Sequence, residues 1–282
     1  MKGRGEAGGA VSIVNAISIG RGASLGIQLK TTAEIELIDD PVYTLSINGE
    51  PGDPTLVKAV VEVFSRILDI KVSGARVATF SNIPMAVGLK SSSSAAVAIA
   101  KAFLNATGQT MYTEEFLKLV AEASILSRTS ITGAMDDAAA CLLGGIAVTD
   151  NLKRLIISHR TVEQELMTVI LVPPGQIYTG SFRPELLAPV KQMVETAFGL
   201  ALMGDYWTAM TINGMAHSAA LGLPVQPAVE ALRSGALAAG LSGTGPAIAA
   251  VATEESVDKV AEAFARFEGK VITCRVNKGA LG

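Results

Sequence analysis

Cysteine and histidine are nearly missing from this 282-residue chain, which has two of each. Cys141 and Cys274 alone build neither a disulfide framework nor a structural zinc site, which points to a reducing compartment. His159 and His217 lie far apart in sequence, which argues against a histidine-rich metal centre and leaves a Ser-His-Asp hydrolase few candidate bases. Basic runs are missing as well. The 23 Lys and Arg against 26 Asp and Glu give a net charge of −3, and without a cluster they argue against a nucleic-acid stripe or an anionic-membrane patch. Any anionic ligand must therefore be held by local geometry. No apolar run approaches the ~20 residues of a membrane span, although mean hydropathy is +0.42. The opening Met-Lys-Gly-Arg-Gly-Glu carries no apolar stretch, so no secretory signal is expected and the expected location is cytoplasmic. No G-x-x-x-x-G-K-[ST] run occurs either, which disfavours a P-loop nucleotide site.

What is present is a globular composition: 49% hydrophobic and 17% charged residues, enough apolar mass to rule against disorder. The length allows one large domain or two modest ones. Residues 9–38 alternate as two or three strands meeting at a Gly20–Gly22 turn. Asp53-Pro54 opens a helix with an apolar face at Val57, Val60, Val61, Phe64 and Leu68. A strand at 75–80, an Ala-rich helix at 93–105 and helices at 113–127 and 135–143 follow, then strands at 146–149, 154–159 and 167–172. Beyond Pro173-Pro174-Gly175 the pattern predicts helices at 184–202, 206–221 and 226–234, and a strand-helix-strand end at 247–251, 254–267 and 270–276. This is an α/β (α+β) chain with a split βαβ unit at its end and a boundary near residue 160, separating 1–160 from 161–282.

Three segments carry chemistry. The first is Pro84-Met85-Ala86-Val87-Gly88-Leu89-Lys90-Ser91-Ser92-Ser93-Ser94-Ala95-Ala96, a small-residue loop that empties into a helix. The first N–H groups of that helix lack intrahelical partners, so phosphate fits there, with Lys90 adding charge and a serine hydroxyl in reach of a metal ion. The plain alternative is a polar turn with a serine cap. The second segment is Thr132-Gly133-Ala134-Met135-Asp136-Asp137, where two carboxylates at a helix start either stabilise the helix dipole or accept a hydroxyl proton. Glu122, upstream in an apolar helix, is a candidate magnesium carboxylate or a solvated helix-face residue. The third is Leu241-Ser242-Gly243-Thr244-Gly245-Pro246, a Gly-rich turn that can donate N–H groups or admit a substrate closely. Gly3-Arg-Gly5-Glu-Ala-Gly8 spells G-x-G-x-x-G, but with no strand before it a dinucleotide site fails on context and the glycines read as structural.

In this order the three segments resemble the GHMP kinase superfamily over nearly the whole chain. Pro84-x-x-x-Gly88-Leu89 with the serine run resembles its phosphate loop, Gly133–Asp137 with Gly144-Gly145 its catalytic-Asp segment, and Leu241–Pro246 its C-terminal Gly-rich loop. The run from Gly5 to Ile27, with Ser130–Asp137, is similar to the archaeal-type shikimate kinase branch. The resemblance implies an N-terminal ribosomal-protein-S5-like part, a C-terminal ferredoxin-like part, and ATP with Mg²⁺ in the cleft between them. It implies transfer of the γ-phosphoryl group to a shikimate hydroxyl. Pro84, Gly88, Leu89, Lys90, Ser91, Ser92, Ser93, Ser94 and Ala95 would hold the nucleotide, and Ser94 and Glu122 the metal. Gly243, Thr244 and Gly245 would face the substrate. Spacing from Gly144 selects Asp137 as base, the preferred choice, and spacing from Gly133 selects Asp136. The lysine of the family's first motif is matched by Ala10, so that cation has to come from elsewhere. The substrate carboxylate calls for an arginine, with Arg4, Arg21, Arg128 and Arg183 as candidates and Arg183, beside the 178–182 run, chosen among them. A homoserine- or mevalonate-type kinase would keep every loop and change the acceptor; a non-catalytic nucleotide-binding sensor would bind ATP without turnover.

Overall fold

The computed structural model describes residues 1–175 and 182–279. Two long strands, β1 (Lys2–Val14) and β2 (Arg21–Ile38), form the antiparallel spine of the first half. Eighteen residues in β2 let it pair with β1 and also with β5 (Gly74–Ser81) and β6 (Ile146–Asp150). With β3 (Tyr43–Ile47), β4 (Glu50–Gly52) and β7 (Leu155–Arg160) the sheet has seven strands in the order β4-β3-β5-β2-β6-β7, β1 lying on β2.

Helices α1 (Thr55–Leu68), α2 (Ser91–Thr107), α3 (Thr113–Leu126) and α4 (Met135–Leu143) complete this half. The apolar stripe of α1 is buried, and its Phe64 meets Phe103 of α2 and Phe116 of α3 at ring distances of 6.1 and 5.7 Å. The edge-on geometry of such pairs adds to their area burial. Ala-rich α2 is buried nearly all round and lies directly on β1, as expected of a helix without a polar face. Gly5 makes that approach possible, because a Cβ there would stand 2.2 Å from the Ala98 carbonyl oxygen. The G-x-G-x-x-G run is thus a strand packed under a helix.

The second half holds β8 (Leu166–Val172), α5 (Lys191–Leu202), α6 (Tyr206–Ala220), α7 (Gln226–Arg233), β9 (Ala238–Leu241), β10 (Ile248–Thr253), α8 (Val257–Phe264) and β11 (Lys270–Arg275). Its four antiparallel strands run β11-β8-β10-β9, the order of a βαββαβ ferredoxin-like unit. The single helix expected at 184–202 begins instead as a 3₁₀ turn, Pro184–Val190, because Pro189 has no N–H to continue an α-helix.

The change of sheet falls between Arg160 and Leu166, but the core does not divide there. One buried cluster joins Val11, Leu25, Ile27 and Ile146 of the first half to Ile170, Phe198, Met210 and Ala249 of the second. The chain also returns to its beginning. Val276 bridges Ile27, the Asn277 N–H donates to the Gly26 carbonyl at 2.9 Å, and the Gly145 N–H donates to the Asn277 carbonyl at 2.7 Å. Among the described residues no helix is long and apolar enough to cross a membrane.

Candidate active site

A cavity of about 520 Å³ lies against α2 and α4 and is bounded from the second half by Gly243 and Thr244. Four residues that line it, Ala86, Lys90, Arg128 and Ala134, have left-handed backbone with φ between +47° and +62°. Such conformations cost non-glycine residues about 1–3 kcal/mol each and gather where the surroundings over-determine the backbone.

The serine loop ends at Lys90, which precedes α2. No side chain caps this helix, and its first turn carries no acidic residue, so Ser91, Ser92 and Ser93 present an uncompensated positive helix end to the cavity. Gly88 (φ +92°) passes against the Gly-rich loop: a Cβ there would fall 1.9 Å from the Ser242 carbonyl oxygen, and the Ser242 hydroxyl donates to the Gly88 carbonyl at 2.7 Å.

The Lys90 ammonium stands 3.1 Å from Asp137 Oδ1, and both side chains are almost wholly buried. A Cβ on Gly243 would sit 3.4 Å from Lys90 Nζ, so this cation joins serine loop, carboxylate and Gly-rich loop. The Ser24 hydroxyl lies 2.6 Å from Asp137 Oδ1 and 3.1 Å from Asp136 Oδ2, and Asn151 Nδ2–H donates to Asp136 Oδ1 at 2.9 Å. Burial first, and the neighbouring Asp137 charge second, raise the Asp136 carboxyl from 3.8 to about 7, against the lowering pull of Lys90, Asn151 and Ser24. The Ser24 hydroxyl thus sits between the two carboxylates.

Of the residues expected from sequence, Gly88, Lys90, Ser91, Ser92, Ser93, Ala95, Asp136, Asp137, Gly243 and Thr244 line the cavity. Pro84, Leu89, Ser94 and Gly245 are not among its lining. Leu89 is core, and Ser94 is fully buried with its hydroxyl turned to the Ala7 carbonyl of β1. Gly245 is buried, with the Leu241 and Leu223 side chains where its Cβ would be. Glu122 is not brought to the cavity: Arg66 of α1 and Arg154 already compensate its charge at the surface. Arg183 is exposed ahead of the 3₁₀ turn and away from the lining; its neighbours 178–181 lie outside the described residues. Arg4 pairs with Glu6, and Arg21 sits over the Phe198 ring at 4.9 Å. Arg128 lines the cavity and has no ion pair among the described residues.

Ser24, Asn151 and Asn15 were not legible as site residues. Ser24 is one of several polar residues along β2, and Asn151 looks like any turn asparagine. At the other end of the cavity Leu45, Ile47, Leu56 and Ile99 make an apolar wall beside Thr31 and Thr79. Among the described residues no three His, Cys, Asp or Glu side chains come together. The hard oxygen donors of Asp136, Asp137 and the serines fit Mg²⁺, which takes one or two carboxylates and completes its shell with phosphate and water.

This arrangement, an anion cradle facing a buried carboxylate pair with a lysine between, has the parts of a phosphoryl-transfer site. The chain belongs to the GHMP kinases: their N-terminal domain matches residues 55–145 and their C-terminal domain residues 208–270. It is 38% identical over 276 residues to the shikimate kinase of Methanothrix thermoacetophila, covering 98% of this chain and 94% of that one. It is 40% identical over 272 residues to the shikimate kinase of Thermococcus kodakarensis, covering 96% and 98%. In fold it is similar to the homoserine kinase of Cytophaga hutchinsonii (TM-score 0.76, 20% identity, 99% and 96% covered). The Methanococcus jannaschii mevalonate kinase is equally similar (TM-score 0.76, 16% identity, 97% and 98% covered).

Proposed function

We propose that this chain is an ATP-dependent shikimate kinase, which moves the γ-phosphoryl group of ATP to a shikimate hydroxyl and yields shikimate 3-phosphate and ADP. The observation that carries the acceptor is the identity of 38% and 40%, over nearly the full chain, to shikimate kinases. The intact cradle and carboxylate pair speak against a sensor without turnover.

In this reading residues 1–160 hold most of the nucleotide site and 161–282 contribute the Gly-rich loop. The purine lies along Leu45, Ile47, Leu56 and Ile99. The triphosphate lies on the amides of the loop and of the first turn of α2, whose dipole favours anions. The acceptor occupies the end near Asp136, Ala16 and Gly243. The Asp136–Asp137 pair takes the hydroxyl proton as the acceptor oxygen bonds to the γ-phosphorus and the bond to the ADP oxygen breaks. Lys90, supplied by the phosphate loop, serves where the first strand has Ala10: it faces the negative charge on the transferred group and holds Asp137 in place. Preorganised charge of this kind is the main lever in phosphoryl transfer. Mg²⁺, held by one carboxylate, a hydroxyl of Ser91–Ser93 and the phosphates, would neutralise the phosphate oxygens. Arg128 pairs with the shikimate carboxylate, for which a guanidinium fork is well shaped.

The test is ADP release from ATP and Mg²⁺ with shikimate, homoserine and mevalonate supplied separately. Turnover is expected with shikimate alone; turnover only with another of the three refutes the acceptor, and ATP binding without ADP release for any of them supports a sensor.

A further inference from the structure

Asn213 is fully buried in the middle of α6, where its Nδ2 has no partner among the described residues and its Oδ1 has one. Its Oδ1 accepts the Asn15 backbone N–H at 3.2 Å. Asn15 lines the cavity, and its own side chain works in two directions: Nδ2–H donates to the Gly243 carbonyl at 2.8 Å, and Oδ1 accepts the Ile17 N–H at 3.0 Å. One asparagine of the second half thus holds another at the end of β1, and that one holds both the Gly-rich loop and the 15–17 turn. Two serines reinforce the junction, since the Ser12 N–H donates to Ser242 Oγ and the Gly243 N–H to Ser12 Oγ, each at 3.1 Å.

The junction lies at the carboxylate end of the cavity. The space a Cβ on Gly22 would need is filled by Asp136 Oδ2, at 2.5 Å, and by the Ala16 methyl group, at 2.9 Å. The turn that Asn15 fixes therefore lies beside Asp136, the two meeting at the same point of β2. Asn213 is also closely backed. One residue on, Gly214 lies on the Gly240 backbone, where a Cβ would come within 2.3 Å, so α6 rests directly on β9, the strand that runs into the Gly-rich loop.

We propose that Asn213 is a positioning residue for phosphoryl transfer: through Asn15 it fixes the Gly243–Thr244 loop and the 15–17 turn against the acceptor. The proposal rests on the kinase reading above and adds to it a polar chain between the two halves. Misplacement of a reacting group by about 1 Å costs on the order of a hundredfold in rate. Loss of Asn213 is therefore felt more at the acceptor than at the nucleotide, most of whose cradle lies on α2.

The experiment is a double-mutant cycle with Asn213→Ala and Asn15→Ala, read as separate KM values for acceptor and ATP, kcat and thermal stability. Asn213→Leu, which keeps the volume and removes the acceptor atom, replaces Asn213→Ala if the latter does not fold. Each single variant is expected to raise acceptor KM and lower kcat by a combined ten- to a hundredfold while ATP KM stays within about twofold. The double variant is expected to be no worse than the worse single one, as for two residues acting in one chain. ATP KM rising in parallel, additive losses, or losses that follow thermal stability alone would overturn the proposal. Wild-type turnover with homoserine or mevalonate in place of shikimate removes the acceptor assignment only, and the cycle is then read on that acceptor. Silence with all three overturns both.

Discussion

Lys90 ends the serine loop, Asp137 lies in the first turn of α4, and their side chains meet at 3.1 Å under Gly243. The left-handed backbone at Lys90 and the burial of both partners make this contact part of the site's construction, unlike the exposed pairs of the surface. It also places the cation that Ala10 of β1 cannot supply.

Lys90→Ala removes the charge facing the transferred group and leaves Asp137 buried without its partner. The expected result is a fall in kcat on the order of 10²–10³-fold, the usual cost of losing one preorganised group. ATP binding by the backbone cradle is retained in part. Lys90→Arg is not expected to restore turnover, because a planar fork does not fit a point-charge position. Steady-state kinetics together with nucleotide titration checks both.

The raised Asp136 carboxyl gives two pH effects of opposite benefit. The carboxylate pair must be deprotonated to act as base, so kcat/KM is expected to rise with pH through about 7. Stability runs the other way. The folded state holds its proton from the unfolded value of 3.8 up to about 7, so the contribution is complete below 3.8 and is lost as pH rises to 7. Thermal unfolding of wild type and Asp136→Asn across pH 4 to 8 tests this, and an unchanged slope in the variant would reject it.

Arg128→Ala should raise the KM for shikimate by about tenfold or more, the worth of a charge-assisted hydrogen bond, with the KM for ATP unchanged. An equal rise in both would move Arg128 to the phosphates, and no change in either would remove it from the site.

The four serines of the loop are alike in sequence and unlike in place. Ser94 faces the Ala7 carbonyl, whereas Ser91, Ser92 and Ser93 line the cavity. Ser94→Ala is therefore expected to leave the Mg²⁺ concentration for half-maximal activity unchanged and to cost at most about 1 kcal/mol of stability for one hydrogen bond. A rise in that concentration should appear in at least one of the other three alanine variants.

Most elements could be read from the sequence because the apolar period and the turn residues agree: α4 is found over 135–143 as expected, and α1 begins beside the Asp53-Pro54 signal. The β3–β4 hairpin was missed because its strands are short and half exposed, and β9 because Ala-Ala-Gly-Leu carries no β-branched residue. The site was legible where it depends on local chemistry, in the serine loop, the two aspartates and the Gly-rich turn. It was not legible where contacts are long-range. Ser24 reaches the carboxylates across more than a hundred residues of chain, and Glu122 is claimed by Arg66 and Arg154, which only the packing of α1 and the 150–154 turn brings near. A run of identical serines likewise says nothing about which hydroxyl turns inward.

The return of Asn277 to Gly26 and Gly145 has a consequence for how the enzyme comes into being. Gly144 and Gly145 close the helix that carries both aspartates; the Gly144 N–H bonds Ala140 and the Gly145 carbonyl accepts the Gly26 N–H, but the Gly145 N–H finds its partner, the Asn277 carbonyl, only after the whole second half has been synthesised. Since the apolar cluster also spans both halves, a nascent chain that has released only the first seven strands holds the helix of the two aspartates without its Asn277 tie and without half of the core beneath it. A ribosome-bound chain stopped short of residue 276 would thus carry the whole serine loop and both aspartates on a half-built core.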